Sequence, residues 1–211
     1  MKSRPQTFKE ERLNTVSHAL GMLWSIAVIP YCMYMAYDAS NLLPFLSVGL
    51  FALGMIAVYT SSTVYHFVKN PSRKPICKKF DHISIYFLIA GTYTPFVAKF
   101  VPTDTAIHFL TAVWSIVAIG IVYKLFFIQY LKWLSVVLYL ALGWMIVFII
   151  QPLSNNMPVP ILWWLGIGGF FYTIGVYFYV KSYKPYYHSI WHIFVLAGTI
   201  AHTIGVYETI A

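Results

Sequence analysis

Seven long apolar stretches, each free of Lys, Arg and Glu, dominate the pattern of hydrophobic and polar positions along this chain. They cover residues 16–37, 42–68, 82–98, 105–123, 133–150, 161–180 and 186–207. A helix needs roughly 20 apolar residues to cross the ~30 Å hydrocarbon layer of a bilayer, so each stretch predicts one span. The polar segments between them are short (38–41, 69–81, 99–104, 124–132, 151–160 and 181–185) and leave no room for a second domain. The expected fold is all-α: one seven-transmembrane-helix bundle over residues 1–211. The first stretch, about 22 residues long, exceeds the ~7–15 of a signal-peptide core and is followed by no clear A-x-A site, so it reads as a retained helix.

Composition removes the alternatives. Hydrophobic residues make up 60% of the chain and charged residues only 9%, against about 25% charged in soluble domains. The 17 Tyr, 16 Phe and 7 Trp exclude disorder, and two cysteines exclude a disulfide scaffold. The net charge of +8 would suit nucleic acid, but its distribution says otherwise. With the N-terminus in the cytoplasm and the C-terminus outside, 13 of the 14 basic residues fall on the inner side, Lys124 and Lys132 among them, and Lys99 is the exception. That asymmetry is the positive-inside rule, and it makes the charge a topology signal rather than a nucleic-acid footprint. Cys32 and Cys77 then fall on opposite sides of the membrane and cannot pair.

Ionisable groups in spans are expensive, so each is a candidate for function. His18, His66, His82, His188 and His192 lie toward the cytoplasmic ends of their spans, His108 at the outer interface, and His202 deep in the seventh. In H-S-I-W-H (188–192) two imidazoles stand one helical turn apart on one face, a spacing that suits a shared metal ion. In S-T-V-Y-H (62–66), Ser62 stands one turn deeper than His66 on the same face. Asp81 opens the third span, where an aspartate can simply cap free amides or pair with Lys78 and Lys79. Counted from the nearest lysines, however, His66, Asp81 and His188 lie within roughly 10 Å of one another along the membrane normal. Three histidines and one carboxylate in a single layer describe a catalytic zinc site: three ligands, an open position, and an acid for the water.

Other positions read more plainly. His82 points about 100° away from Asp81 around the helix, and His18 stands at the mouth of the same layer, so both are candidates only for supporting contacts. His202 is too deep for the same ion and suits an interhelical hydrogen bond. Pro95 is expected to kink the third span. Ala197, Ala201 and Gly205 form a small-residue row for close packing, and the apolar loop 125–131 is expected to lie in the interface.

The segments S-S-T-V-Y-H (61–66), D-H-I-S-I-Y-F-L-I-A-G-T-Y-T-P-F (81–96) and H-S-I-W-H-I-F-V-L-A-G-T-I-A-H (188–202) resemble the hemolysin III family, the bacterial branch of the progestin and adiponectin receptor superfamily. E-E-R-L-N-T-V-S-H-A-L-G (10–21) is similar to its N-terminal signature, and the likeness runs along the whole chain. The resemblance implies zinc (Zn2+) near the cytoplasmic face, held by His66, His188 and His192, with Asp81 holding the water and Ser62 supporting the site. Alkaline ceramidases share that pattern of serine, aspartate and three histidines. The long cytoplasmic N-terminal region of the animal receptors is missing, which weakens a receptor-like role.

Three functions follow as expectations. The first is a zinc-dependent membrane hydrolase of lipid amides or esters, ceramide-like, contributing to membrane homeostasis in a bacterial plasma membrane. The second is a non-catalytic, zinc-stapled sensor or regulator of lipid composition or fluidity. A cytolysin rests on the family name alone and ranks last. The expected partners are membrane lipids, ceramide-like or another acyl class, and no nucleic acid. A homo-oligomer is left open.

Overall fold

A capping box starts the first helix ahead of the apolar run. In the computed structural model, which describes residues 4–127 and 132–211, α1 spans Phe8–Ala36. The Thr7 hydroxyl accepts the Glu10 amide and the Glu10 carboxylate accepts the Thr7 amide, so two amides that a helix start leaves free are satisfied reciprocally. There follow α2 (Leu43–Phe67), α3 (Lys74–Phe100), α4 (Thr103–Phe126), α5 (Lys132–Gly143), a 3-10 segment (Met145–Ile149), α6 (Ile150–Asn156), α7 (Val159–Val180) and α8 (Tyr187–Ile210). No strand occurs among the described residues.

Seven helices are long and apolar enough to cross a membrane, with α5, the 3-10 segment and α6 together forming the fifth as Trp133–Asn156. Large apolar side chains such as Ile119, Phe148, Trp163 and Phe170 are exposed, a surface suited to lipid rather than water. The chain is a multi-pass, all-helical membrane protein.

Three boundaries differ from expectation. The third helix begins at Lys74, with Pro75 in its first turn, inside the segment expected as a loop. Asp81 therefore sits two turns inside the helix and is buried, so it caps nothing. Helix α4 carries Lys124 inside it and fully buried, not in a solvated loop. The fifth span runs past residue 150 to Asn156, broken by its 3-10 segment. Pro95 lies within α3, which continues through it to Phe100. Of the loop expected at 125–131, residues 128–131 lie outside the described residues.

Packing is uneven. A Cβ on Gly54 of α2 would fall 2.7 Å from the Phe87 carbonyl oxygen, and one on Gly91 of α3 would fall 2.6 Å from that of Leu50. Only glycine lets these two backbones meet so closely. Gly205 of the small-residue row packs against Phe96 and Trp164, as the row predicts, and Ala201 is buried. Helix α7, by contrast, leaves most of its surface uncovered, and Gly166 has no neighbour in the way of a Cβ. Cys32 and Cys77 are both free.

Candidate metal centre

The centre lies at the face of the bundle where α1, α3 and α8 begin and α2, α4 and α7 end, here called the N-terminal face. His66 comes from the last turn of α2, while His188 and His192 come from consecutive turns of α8. One ring nitrogen of each lies within 4.8 Å of the other two, the only such histidine group among the described residues. His66 and His192 are buried, and the Nε2 atoms of His66 and His188 face each other at 3.3 Å.

Hydrogen bonds fix which nitrogen is free. His66 Nδ1 donates to Glu11 Oε2 at 2.6 Å, leaving Nε2 as a lone pair. Glu11 is held in turn by Lys74, whose Nζ lies 2.8 Å from its other oxygen. The Ser17 hydroxyl spends its proton on the Asn14 carbonyl, so His192 Nδ1 donates to Ser17 Oγ at 3.0 Å and to Asn14 O at 3.3 Å. His192 Nε2 is left buried with no partner. A buried acceptor without a donor is costly, and a cation among the three rings would satisfy it. Carboxylate and carbonyl contacts on the far ring nitrogen are the usual support of metal-bound histidine. The residues present therefore fit a metal with three imidazole ligands and an open position.

The start of α8 is held from α1. Tyr186 adopts a left-handed conformation (φ 63°), which costs a non-glycine residue about 1 kcal/mol. Its amide donates to Glu10 Oε1 at 2.7 Å, and Arg4 pairs with the same carboxylate. Ser189 donates to Asn14 Oδ1, so α1 fixes both the entry into α8 and the turn carrying His188.

Asp81 is buried within electrostatic reach of His66 but is not a member of the group, and it lines a cavity of about 440 Å³. Ser62 is buried beside it with a hydroxyl that has no settled partner. His18, both of its nitrogens buried without partners, stacks on His192 at 3.6 Å between ring centroids and also lines the cavity. His82 is engaged elsewhere: Lys124 Nζ donates to its Nδ1 at 3.0 Å and to Ser135 Oγ at 2.6 Å. His202 makes the interhelical bond expected of it, to the Leu165 carbonyl of α7. His108, exposed, turns its Nδ1 to the Asp104 carbonyl.

Sequence reasoning missed Glu10, Glu11 and Lys124. The T-x-x-E pattern at Thr7–Glu10 is a usable signal, because it starts α1 early enough to bring Glu11 level with His66. Lys124 had none: at the end of an apolar run, a lysine facing inward reads the same as one facing the headgroups.

A helical membrane protein with a buried three-histidine centre at one face is the class this architecture defines. The Haemolysin-III related family profile matches residues 6–203. The chain is 35% identical over 195 residues to "Hemolysin-3 homolog" of Bacillus subtilis (strain 168), covering 92% of each chain. It is 31% identical over 194 residues to "Hemolysin-3" of Bacillus cereus, covering 92% of this chain and 89% of that one. With the human "Monocyte to macrophage differentiation factor" it shares 26% identity over 165 residues, 75% of this chain and 68% of that one. The chain belongs to the hemolysin III family, within the progestin and adiponectin receptor superfamily.

Proposed function

We propose that this protein is a zinc-dependent hydrolase of membrane lipid amides or esters, ceramide-like in its substrate, working as one seven-helix unit in the bacterial plasma membrane. In this reading the N-terminal face is cytoplasmic. The observation that carries it is Asp81: a buried carboxylate in electrostatic reach of His66, outside the three-histidine group, on the wall of an apolar cavity.

When bound, zinc supplies Lewis acidity toward a carbonyl and makes a water more acidic. His66, His188 and His192 hold it, while Glu11, Ser17 and Asn14 keep His66 and His192 in the tautomers that present Nε2. A carboxylate oxygen of Asp81 accepts the proton of the attacking water, and Ser62 orients that carboxylate. The water oxygen bonds to the acyl carbon, the bond to the amine or alcohol breaks, and the leaving group takes up the proton. The cavity holds the acyl chain and keeps bulk water from the reacting carbonyl.

The test is fatty acid release from a ceramide-like substrate by the purified protein, with metal content measured in parallel. Asp81→Asn keeps the metal and loses turnover. Absence of release across a broad lipid panel by zinc-loaded protein would overturn the reading.

A second reading is a non-catalytic regulator in which zinc staples α2 to α8. The meeting of His66 with His188 and His192 across those helices favours it. It predicts that Asp81→Ala retains metal, stability and cellular function.

A further inference from the structure

Hydrogen bonding is one-sided around His202, on the cavity wall away from the metal centre. His202 Nε2 lies 3.1 Å from the Leu165 carbonyl oxygen, which can only accept, so the proton sits on Nε2. His202 Nδ1 is then a lone pair, buried with no partner. The ring is pressed into α7 at Gly168, where a Cβ would fall 2.2 Å from its Nε2 and Cδ2 atoms. Helix α7 keeps a glycine there because the imidazole occupies the space.

The neighbouring hydroxyls have also spent their protons. Thr199 Oγ1 donates to the Val195 carbonyl at 3.0 Å, so it must accept from Tyr59 at 2.7 Å and from Tyr172 at 2.8 Å. The Tyr172 oxygen is left able only to accept, and its ring stands 5.4 Å from that of His202. Thr92 and Thr173 donate to the Leu88 and Gly169 carbonyls. All four of Thr92, Tyr172, Thr173 and His202 line the cavity. A plain hydrocarbon chain would leave the Nδ1 lone pair unsatisfied, whereas an occupant that brings its own donor would not.

We propose that this part of the cavity wall is a second polar subsite that recognises a hydroxyl carried midway along a lipid chain, with His202 Nδ1 and the Tyr172 oxygen as its acceptors. The proposal rests on reading the cavity as the chain-binding site. From His192 to His202 is about 15 Å along α8, the reach of roughly twelve chain carbons, so a headgroup at the metal centre sets mid-chain beside His202.

Ricinoleic and oleic acids differ by one mid-chain hydroxyl. Their affinities for the purified full-length protein in nanodiscs, measured by displacement of a fluorescent fatty acid, test the subsite. Ricinoleic acid is expected to bind about fivefold more tightly. Tyr172→Phe, which removes a single oxygen, lowers that ratio, and His202→Leu brings it to about one. Equal affinities in the unaltered protein, or a ratio preserved in both variants, would overturn the proposal. The readout is binding, so a protein that releases no fatty acid can still show the discrimination. One that hydrolyses ceramide without it loses the subsite and keeps the hydrolase reading.

Discussion

The two sides of the bundle are built on different rules. In the most apolar window of α3, 67% of residues are buried, against 17% in α7. On the α1–α2–α3–α8 side, glycines let helices touch through their backbones, and every candidate ligand and its supporting carboxylate stands there. On the α5–α7 side the span is interrupted by a 3-10 segment, and side chains such as Tyr139, Leu162 and Phe170 line the cavity. The contrast teaches a division of labour: close packing holds groups that must keep a fixed geometry, and loose packing leaves space for an occupant.

Substitutions can break or sharpen that contrast. The largest expected effect is on the packed side, where His192→Ala removes a candidate ligand and should weaken metal binding by more than about 100-fold, read by metal analysis of the purified protein. Unchanged metal content would show that the three histidines are not the centre. Next is Gly91→Ala, whose added methyl meets backbone with nowhere to go; a loss of about 2 kcal/mol, seen as a lower unfolding midpoint in detergent, is expected. Glu11→Gln keeps the shape but removes the charge that fixes His66. It should cost about tenfold in metal affinity with little change in the midpoint. The smallest effect belongs to the open side: Gly166→Ala meets nothing within 4 Å and should be neutral or stabilising by up to about 1 kcal/mol. Equal midpoints for Gly91→Ala and Gly166→Ala would abolish the distinction between the two sides.

The spans and the three histidines were legible because both depend on spacing along the chain. Apolar run length counts the helices, and i, i+4 spacing with shared depth brings His66, His188 and His192 together. Helix ends were less legible. Hydropathy marks where lipid begins, while α1 and α3 continue beyond it through polar residues, which is why local sequence offers a cap at Asp81 where the fold has a buried inner-helix residue. The inward turn of Lys124 depends on His82 and Ser135 arriving from α3 and α5. Such a partnership exists only after helices pack, and no local pattern carries it. The cavity is likewise a product of what α5–α7 fail to fill.

The bond from Tyr186 to Glu10 joins residues separated by 176 positions, and His66 and His188 are 122 apart. A ribosome makes the first member of each pair long before its partner. The three-histidine group therefore closes only after α8 is made: a nascent chain lacking α8 holds His66 and Glu11 but neither His188 nor His192. Completion of the three-histidine group thus reports that α8 has been made and has seated against α1 and α2.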